Sequence, residues 1–542
     1  MSSFEKNLDK NDANFVPLTP LTFLERTKDI YPNYEALVYG KRKYSWIEVY
    51  NRACQFASSL KKIGIGKGDT VSVMAANTPE LFESHYSIPM TGAVLNTINT
   101  RLDSNTVAYI LEHSDAKVFI VDRQFKKIAD KAISSLKKKI IIIDINDEQA
   151  NLPDEGPIGE HEYENFLLKG DKQFKYEMPK DEWQAISLNY TSGTTGRPKG
   201  VVYHHRGSYL MSMGSVTAWN MPNKLTYLYT VPMFHCNGWG YPWTLALLHA
   251  KVILIRNIIV KEIFDLISKH KITHFGGAPI ILNMIANAPA NEQKPIKHKI
   301  FAMTAGAPPP SSILKKMQTL GFEIMHVYGL TETYGHISHC AWNDDWNKYD
   351  EEKKSEIKSF QGVRYPHTEE VAVLNPKDYS KVPKDGKTMG EIMIRSNTVM
   401  KGYYKNPEST KKIMNKGWFH SGDLAVVHEN GYIQVKDRSK DIIISGGENI
   451  SSVEIENTLT KHPSVSLCAV VAKPDSKWGE TPCAFVETIQ GKTINEDDLI
   501  KFCRKTLAGF KIPKKIIFCE LPKTSTGKIQ KFELRKKVKE LT

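Results

Sequence analysis

Tyr190–Gly200 reads YTSGTTGRPKG, and the fold turns on how that stretch is read. Gly193, Gly196 and Gly200 are interleaved with the hydroxyl residues Thr191, Ser192, Thr194 and Thr195, and the stretch closes on Lys199 and its glycine. It follows AISLNY, a largely apolar run that predicts a short buried strand. A glycine- and hydroxyl-rich loop leaving a strand turns backbone N–H and side-chain OH groups toward a phosphate chain, and the nearby lysine adds charge. The predicted element is a nucleotide triphosphate loop. Residue order excludes a Walker A loop, where glycine and four residues precede Gly-Lys-Ser/Thr. Here the lysine comes before its glycine and after Pro198. The plain alternative is a flexible surface loop, but a linker has no need of residues so constrained in type.

Outward from this loop, strand-like and helix-like runs alternate. DTVSVMAAN and AKVFIVD flank a helical stretch, and KVILIRN, the amphipathic VKEIFDLISKHK and THFGGAP follow. Such alternation predicts βαβ units and mostly parallel sheets. From about Ile357 the texture changes to short strands and turns (GVRYP, EEVAVLNP, GEIMIRS, GYIQVKD), which predicts a small antiparallel β region. The run DRSKD at Asp437–Asp441 has no apolar residue and reads as a hinge before a final β-α stretch with a basic end. No repeat of 20–50 residues recurs, which excludes a solenoid.

Composition narrows the class. A chain of 542 residues is too long for one core, and an apolar fraction of 41% is that of an ordinary globular protein. Seven scattered cysteines without a CxxC pair indicate neither a disulfide frame nor a zinc site. The polar N-terminus, MSSFEKNLDKNDANF, has no signal core, and no apolar run is long enough to span a bilayer, so a cytoplasmic location is expected. A net charge of +13 is compatible with a polyanion surface, but the lysines are spread along the chain. A cleft that handles nucleotide and pyrophosphate favours the same sign.

Further motifs follow in order: GAP at Gly306–Pro308, HVYGLTE at His326–Glu332, GWFHSGD at Gly417–Asp423, DRSKDIIISGGENI at Asp437–Ile450 and PKTSTGKIQK at Pro522–Lys531. With the loop they resemble the acyl-adenylate-forming superfamily, which holds acyl-CoA synthetases, adenylation domains of peptide synthetases and firefly luciferase. The resemblance covers nearly the whole chain. It implies an α/β fold, with residues 1–439 forming a large N-terminal domain of two α/β subdomains and a small β-barrel at about 357–436. Residues 440–542 would form a smaller mobile α+β domain, hinged near Lys440.

The implied chemistry joins a carboxylic acid to ATP, giving an acyl-adenylate and pyrophosphate, after which CoA displaces AMP. The resemblance places Thr191, Ser192, Gly193, Thr194, Thr195, Gly196, Lys199, Gly306, Ala307, Pro308, His326, Tyr328, Gly329, Thr331, Asp423 and Arg438 against ATP or AMP. Tyr328 would stack on adenine, Asp423 would accept the ribose hydroxyls, and Thr191 with Glu332 would hold Mg²⁺, which prefers hard oxygen ligands. Lys528 would be the catalytic cation between carboxylate and phosphate, and Glu332 and His235 complete the catalytic set. In VPMFHCNGWGYPW (Val231–Trp243), His235 matches a position beside the acyl carboxylate, and Trp239 would wall the acyl or the pantetheine passage. Both also read as core residues, as does Tyr328. Cys236 has no support as a nucleophile. Gly446, Gly447 and Glu448 would line a pantetheine tunnel once the small domain rotates, since glycines allow close backbone approach. SKWGE at Ser476–Glu480 resembles a CoA-side segment.

The expectation is an AMP-forming acyl-CoA ligase whose partners are an acid, ATP and CoA, without nucleic acid, and a second copy of itself in a homodimer. The absence of a carrier domain argues against a peptide-synthetase module, and the tunnel glycines argue against an acyl-AMP ligase. FHCNGWGYPW with HVYGLTETYG resembles the branch of medium-chain acyl-CoA synthetases, plant acyl-activating enzymes and bacterial 3-methylthiopropanoate–CoA ligases. 3-Methylthiopropanoate is the sharpest substrate expectation, with medium-chain or aromatic acids as alternatives and a catalytically silent nucleotide-binding protein as the non-ligase one.

Overall fold

The computed structural model describes every residue except Met1, Asp154, Gly447 and residues 192–196, 307–310, 525–527 and 541–542, and for Ser311 and Ser312 the backbone alone. Two large sheets dominate. One has nine strands, and its interior is parallel: Phe322–Leu330, Ile300–Thr304, His274–Gly277, Thr226–Tyr229, Lys251–Leu254 and Glu35–Tyr39 run side by side. The other has eight strands, again parallel inside, and the hairpin Ala185–Tyr190/Gly200–His204 lies toward one edge. The expected βαβ runs are realised. AKVFIVD is the strand Ala116–Asp122, and VKEIFDLISKHK is the helix Val260–His270, which buries Ile263, Phe264 and Ile267. Helices cover parallel strands because both sheet faces must be buried.

Two smaller sheets follow. The first is five-stranded and antiparallel, built from Thr368–Leu374, Gly390–Ser396, Met414–Asn415, Trp418–Val427 and Ile433–Arg438. It starts at Thr368, not near Ile357. Residue 357 lies in the helix Glu351–Lys358, whose first turn is capped by Asp350, and Val363–Arg364 pairs on the edge of the nine-stranded sheet. The strand order is open, so the region expected as a barrel is a sheet whose end strands are not paired with each other. The second small sheet, from Ile443 onward, belongs to the C-terminal domain and has its own apolar core around Ile455, Val470 and Leu499. Among the described residues no helix is long and apolar enough to cross a membrane.

A buried charge network ties the large sheets together. Arg256, just past Lys251–Leu254, lies 2.7 Å from Asp122, which ends a strand of the other sheet, and 2.5 Å from Asp147, two residues past the strand Ile141–Ile145 of that sheet. The Tyr39 hydroxyl also donates to Asp147. Burial raises the Asp122 pKa, although Arg256 opposes the shift. Removing one partner of a buried pair strands the other charge. Arg256→Ala should therefore destabilise by about 3–5 kcal/mol, read as a lower thermal midpoint, and Asp122→Asn in the same chain should restore part of the loss. An unchanged midpoint would show that the network does not hold the sheets.

Candidate active site

The antiparallel hairpin Ala185–Tyr190/Gly200–His204 carries the loop, with Tyr190 opposite Gly200. Thr191 N–H donates to the Lys199 carbonyl at 3.0 Å, and Lys199 N–H donates to Thr191 Oγ1 at 3.4 Å, so the ends of the loop are clamped. Ser192, Gly193, Thr194, Thr195 and Gly196 lie outside the described residues. A third strand, Gly402–Tyr403, pairs with Gly200–His204. It puts the Tyr403 ring 4.8 Å under the Lys199 ammonium and directs the Tyr403 hydroxyl to Glu332 Oε1 at 2.7 Å. The Tyr203 hydroxyl donates to the Thr331 carbonyl at 2.6 Å, and Met400 N–H to the Glu332 carbonyl at 2.9 Å. The acidic turn Thr331–Thr333 is thus laced to the stem of the loop. Sequence reasoning missed Tyr403, whose one local signal is the GYY that follows Lys401.

The strand Phe322–Leu330 presents Tyr328, whose hydroxyl donates to Asp423 Oδ2 at 2.6 Å. Arg438 Nε lies 3.1 Å from Asp423 Oδ1 across the Asp423–Arg438 register of the small sheet. Burial and the adjacent Asp423 carboxylate push the Tyr328 phenol pKa well up. Burial works most strongly against the Arg438 charge, but Asp423, Tyr328, Asp441 and Glu332 together outweigh it and raise the guanidinium pKa. Gly329 has a packing reason: a Cβ there would fall on the Gly335 carbonyl oxygen. His326 is 3% exposed, with Nδ1 3.1 Å from the Phe360 carbonyl oxygen, and burial lowers its pKa to about 4. The structure gives this side chain a core role behind the strand. Gly306 has φ +96°, a conformation suited to glycine, with open space where a Cβ would stand. Ala307 and Pro308 lie outside the described residues.

Lys528 arrives from the C-terminal domain on a tight hairpin. Thr524 N–H donates to the Lys528 carbonyl at 2.6 Å, Lys528 N–H returns to Thr524 Oγ1 at 3.0 Å, and Lys523 bridges Ile529. Lys528 is exposed, and its ammonium faces the charges of Arg438, Asp423, Lys440 and Asp441. Desolvation lowers its pKa to about 8, helped by Arg438 and Lys440 and opposed by Asp423 and Asp441. Desolvation, with the Lys528 ammonium beside it, lowers His235 to about 4, so the imidazole is neutral. The structure therefore brings Lys528, His235, Asp423, Arg438 and Lys440 into one cleft.

This domain orientation rests on specific ties. Asp437 Oδ2 accepts both the N–H and the hydroxyl of Ser452 at 2.6 Å, and Ser451 Oγ donates to the Lys436 carbonyl at 2.5 Å. Lys440 lies in the turn between the strands Ile433–Arg438 and Ile443–Ser445, where Arg535 pairs with Asp441. Gly446 and Glu448 are solvent-exposed and do not join the Lys528 cleft. Gly446 N–H donates to the Trp478 carbonyl at 2.8 Å, beside an indole that is 46% exposed. Gly447 lies outside the described residues.

The acyl side is built on an unusual backbone. Cys236, Asn237, Gly238, Trp239 and Gly240 have φ of 42, 42, 57, 59 and 76°, a whole turn of left-handed residues. Left-handed conformation costs roughly 1–2 kcal/mol for each non-glycine residue, so surrounding contacts must hold it. The turn seats the buried Trp239 with its ring 5.2 Å from that of His336 and Cζ3 3.1 Å from where a Gly276 Cβ would stand. Cys236 donates to Thr331 Oγ1 at 3.3 Å, and burial pushes its thiol up to about 11, which removes it as a nucleophile.

Comparison with known proteins agrees with this geometry. Residues 24–404 match the AMP-binding enzyme family and 454–528 the AMP-binding enzyme C-terminal domain. The chain is 47% identical to an acetate–CoA ligase of Humulus lupulus, covering 99% of this chain and 97% of that one. It is 46% identical to an acetate/butyrate–CoA ligase of Arabidopsis thaliana, described as peroxisomal, again over 99% and 97%. A crystal structure of an anthranilate CoA ligase in complex with anthranoyl-AMP shares the fold, with a TM-score of 0.83 at 24% identity over 98% and 99% of the two chains.

Because Lys528 titrates near pH 8 in the free protein, its ammonium is lost as pH rises through that value. A pyrophosphate-exchange profile should show kcat/KM falling about tenfold per pH unit above that point. Lys528→Arg, charged throughout, should abolish the limb at lower overall activity. An identical limb in that variant would assign the titration to another group.

Proposed function

We propose, on the premise that the chain belongs to the AMP-binding enzyme family and is an AMP-forming acyl-CoA ligase, that its acid is short, of the acetate-to-butyrate class, with 3-methylthiopropanoate at the upper end. The observation that carries this reading is the buried Trp239 packed against Gly276 and His336, read as the end wall of the acid pocket. Relatives named for acetate and butyrate support it. A thioether sulfur against Trp239 adds about 0.3–1.5 kcal/mol, enough to favour 3-methylthiopropanoate modestly over a plain acid of its length.

In the first half-reaction the carboxylate attacks the α-phosphorus and pyrophosphate leaves. Lys528, charged below about pH 8, would stand between the carboxylate and the phosphate and stabilise the growing negative charge. The neutral His235 would sit beside the carboxylate without adding a competing proton. Asp423, already accepting from Tyr328 and Arg438, would exchange those partners for the ribose hydroxyls. Glu332 and Thr191, one carboxylate and one hydroxyl at the base of the loop, fit an Mg²⁺ ion that keeps water and nucleotide phosphate as its other ligands. That ion would neutralise phosphate charge. Rotation near Lys440 would then withdraw Lys528 and turn Gly446, Gly447, Glu448 and Trp478 toward the acyl-adenylate for CoA.

The deciding assay is AMP release with ATP, Mg²⁺ and CoA over acids from acetate to decanoate, with benzoate and 3-methylthiopropanoate. Short acids should give kcat/KM at least tenfold above decanoate, and Lys528→Ala should lower the rate on the order of 10²–10³. Preference for decanoate or benzoate would overturn the short-acid reading. ATP binding without pyrophosphate exchange would favour a silent nucleotide-binding protein. The hinge has its own test: Lys440→Pro should fix the backbone there, sparing adenylation and blocking thioester formation. Equal loss of both half-reactions would count against rotation about this residue.

A further inference from the structure

We infer that Asn237, clamped by Asn189, is a positioning residue that sets acid chain-length selectivity by holding the left-handed turn which seats Trp239. Asn237 is fully buried, and its side chain is held by hydrogen bonds. Its Oδ1 accepts from Ser187 Oγ at 2.6 Å and from Asn189 Nδ2 at 2.7 Å, and its Nδ2 lies 3.5 Å from Thr97 Oγ1. Its backbone N–H donates to Asn189 Oδ1 at 3.2 Å, so the one amide of Asn189 grips both the main chain and the side chain of Asn237. Thr97 Oγ1 lies 3.1 Å from Asn189 Oδ1 and donates to the Phe234 carbonyl at 2.9 Å, while the Tyr229 hydroxyl donates to the Gly238 carbonyl at 3.0 Å. Ser187, Asn189 and Thr97 are themselves buried on adjacent strands of the eight-stranded sheet.

An uncompensated left-handed run relaxes, so the contacts that fix it determine where its side chains point. The clamp stands two residues before Trp239 and holds the turn from the sheet side. Trp239 is braced on its other side by His336 and by the glycine at 276. Loosening the clamp frees the indole to move, and the space it vacates admits longer chains. Asn189 lies two residues before Thr191, so the strand that carries the nucleotide loop also fixes the acid wall.

The inference rests on the reading of Trp239 as the end wall of the acid pocket, and the test separates the two. Asn237→Gly keeps the left-handed backbone free of steric penalty while deleting the amide. It should raise kcat/KM for octanoate relative to butyrate at least fivefold, and Ser187→Ala, which removes one donor to the same oxygen, should shift the ratio the same way by less. In a Trp239→Ala background, where the wall is already gone, Asn237→Gly should leave the ratio unchanged. A uniform drop for all acids in Asn237→Gly, or an undiminished shift in the Trp239→Ala background, would overturn the positioning role. A Trp239→Ala enzyme with unaltered selectivity would instead sink the end-wall reading. Should Asn237→Gly fail to fold, Ser187→Ala carries the same test.

Discussion

An excess of positive charge around Lys528 governs this molecule. Lys528, Arg438 and Lys440 crowd together there, with Asp423 and Asp441 as the opposing carboxylates and Arg535 already drawing on Asp441. Like charges repel, and the depressed Lys528 pKa records desolvation first and repulsion from Arg438 and Lys440 after it. Such a cluster favours a polyanion, and a triphosphate supplies one. The same repulsion works against the docked small domain. Hydrogen bonds hold it: Asp437 receives two donors from Ser452, and the Lys436 carbonyl accepts from Ser451 Oγ.

Much of this was legible in the chain. The short buried strand read in AISLNY is the strand Ala185–Tyr190, whose partner Gly200–His204 the sequence did not show, and Asp423 and Arg438 face each other because their motifs lie on paired strands. What escaped was context. Tyr403 reaches Glu332 only because a two-residue strand pairs at the far edge of the hairpin, a contact between segments some seventy residues apart. Gly329 looked like a ligand-facing glycine, but its neighbour in space, Gly335, gives it a steric task that no linear spacing reveals. His326 shares a motif with Tyr328 but not its surroundings, since the core claims its side chain. The small sheet begins later than texture alone indicates, because short polar–apolar runs do not separate a helix end from a strand start.

The two halves of the chemistry share one piece of scaffold. Ala185–Tyr190 carries the clamped nucleotide loop at its end, and its interior residues Ser187 and Asn189 grip the acyl turn. On the proposed function, acid and nucleotide would be referenced to the same backbone, and their mutual alignment would not depend on a flexible connection.

The left-handed turn also bears on the order of assembly. A run from Cys236 to Gly240 in that conformation is sparsely populated in an isolated peptide, and its clamps come from strands 48–140 residues away in sequence. It therefore cannot form until the eight-stranded sheet has closed around it. A partly assembled chain would own a phosphate loop without an acid pocket, and so would have nothing to activate. On the proposed function, competence for the acid would wait on these long-range contacts.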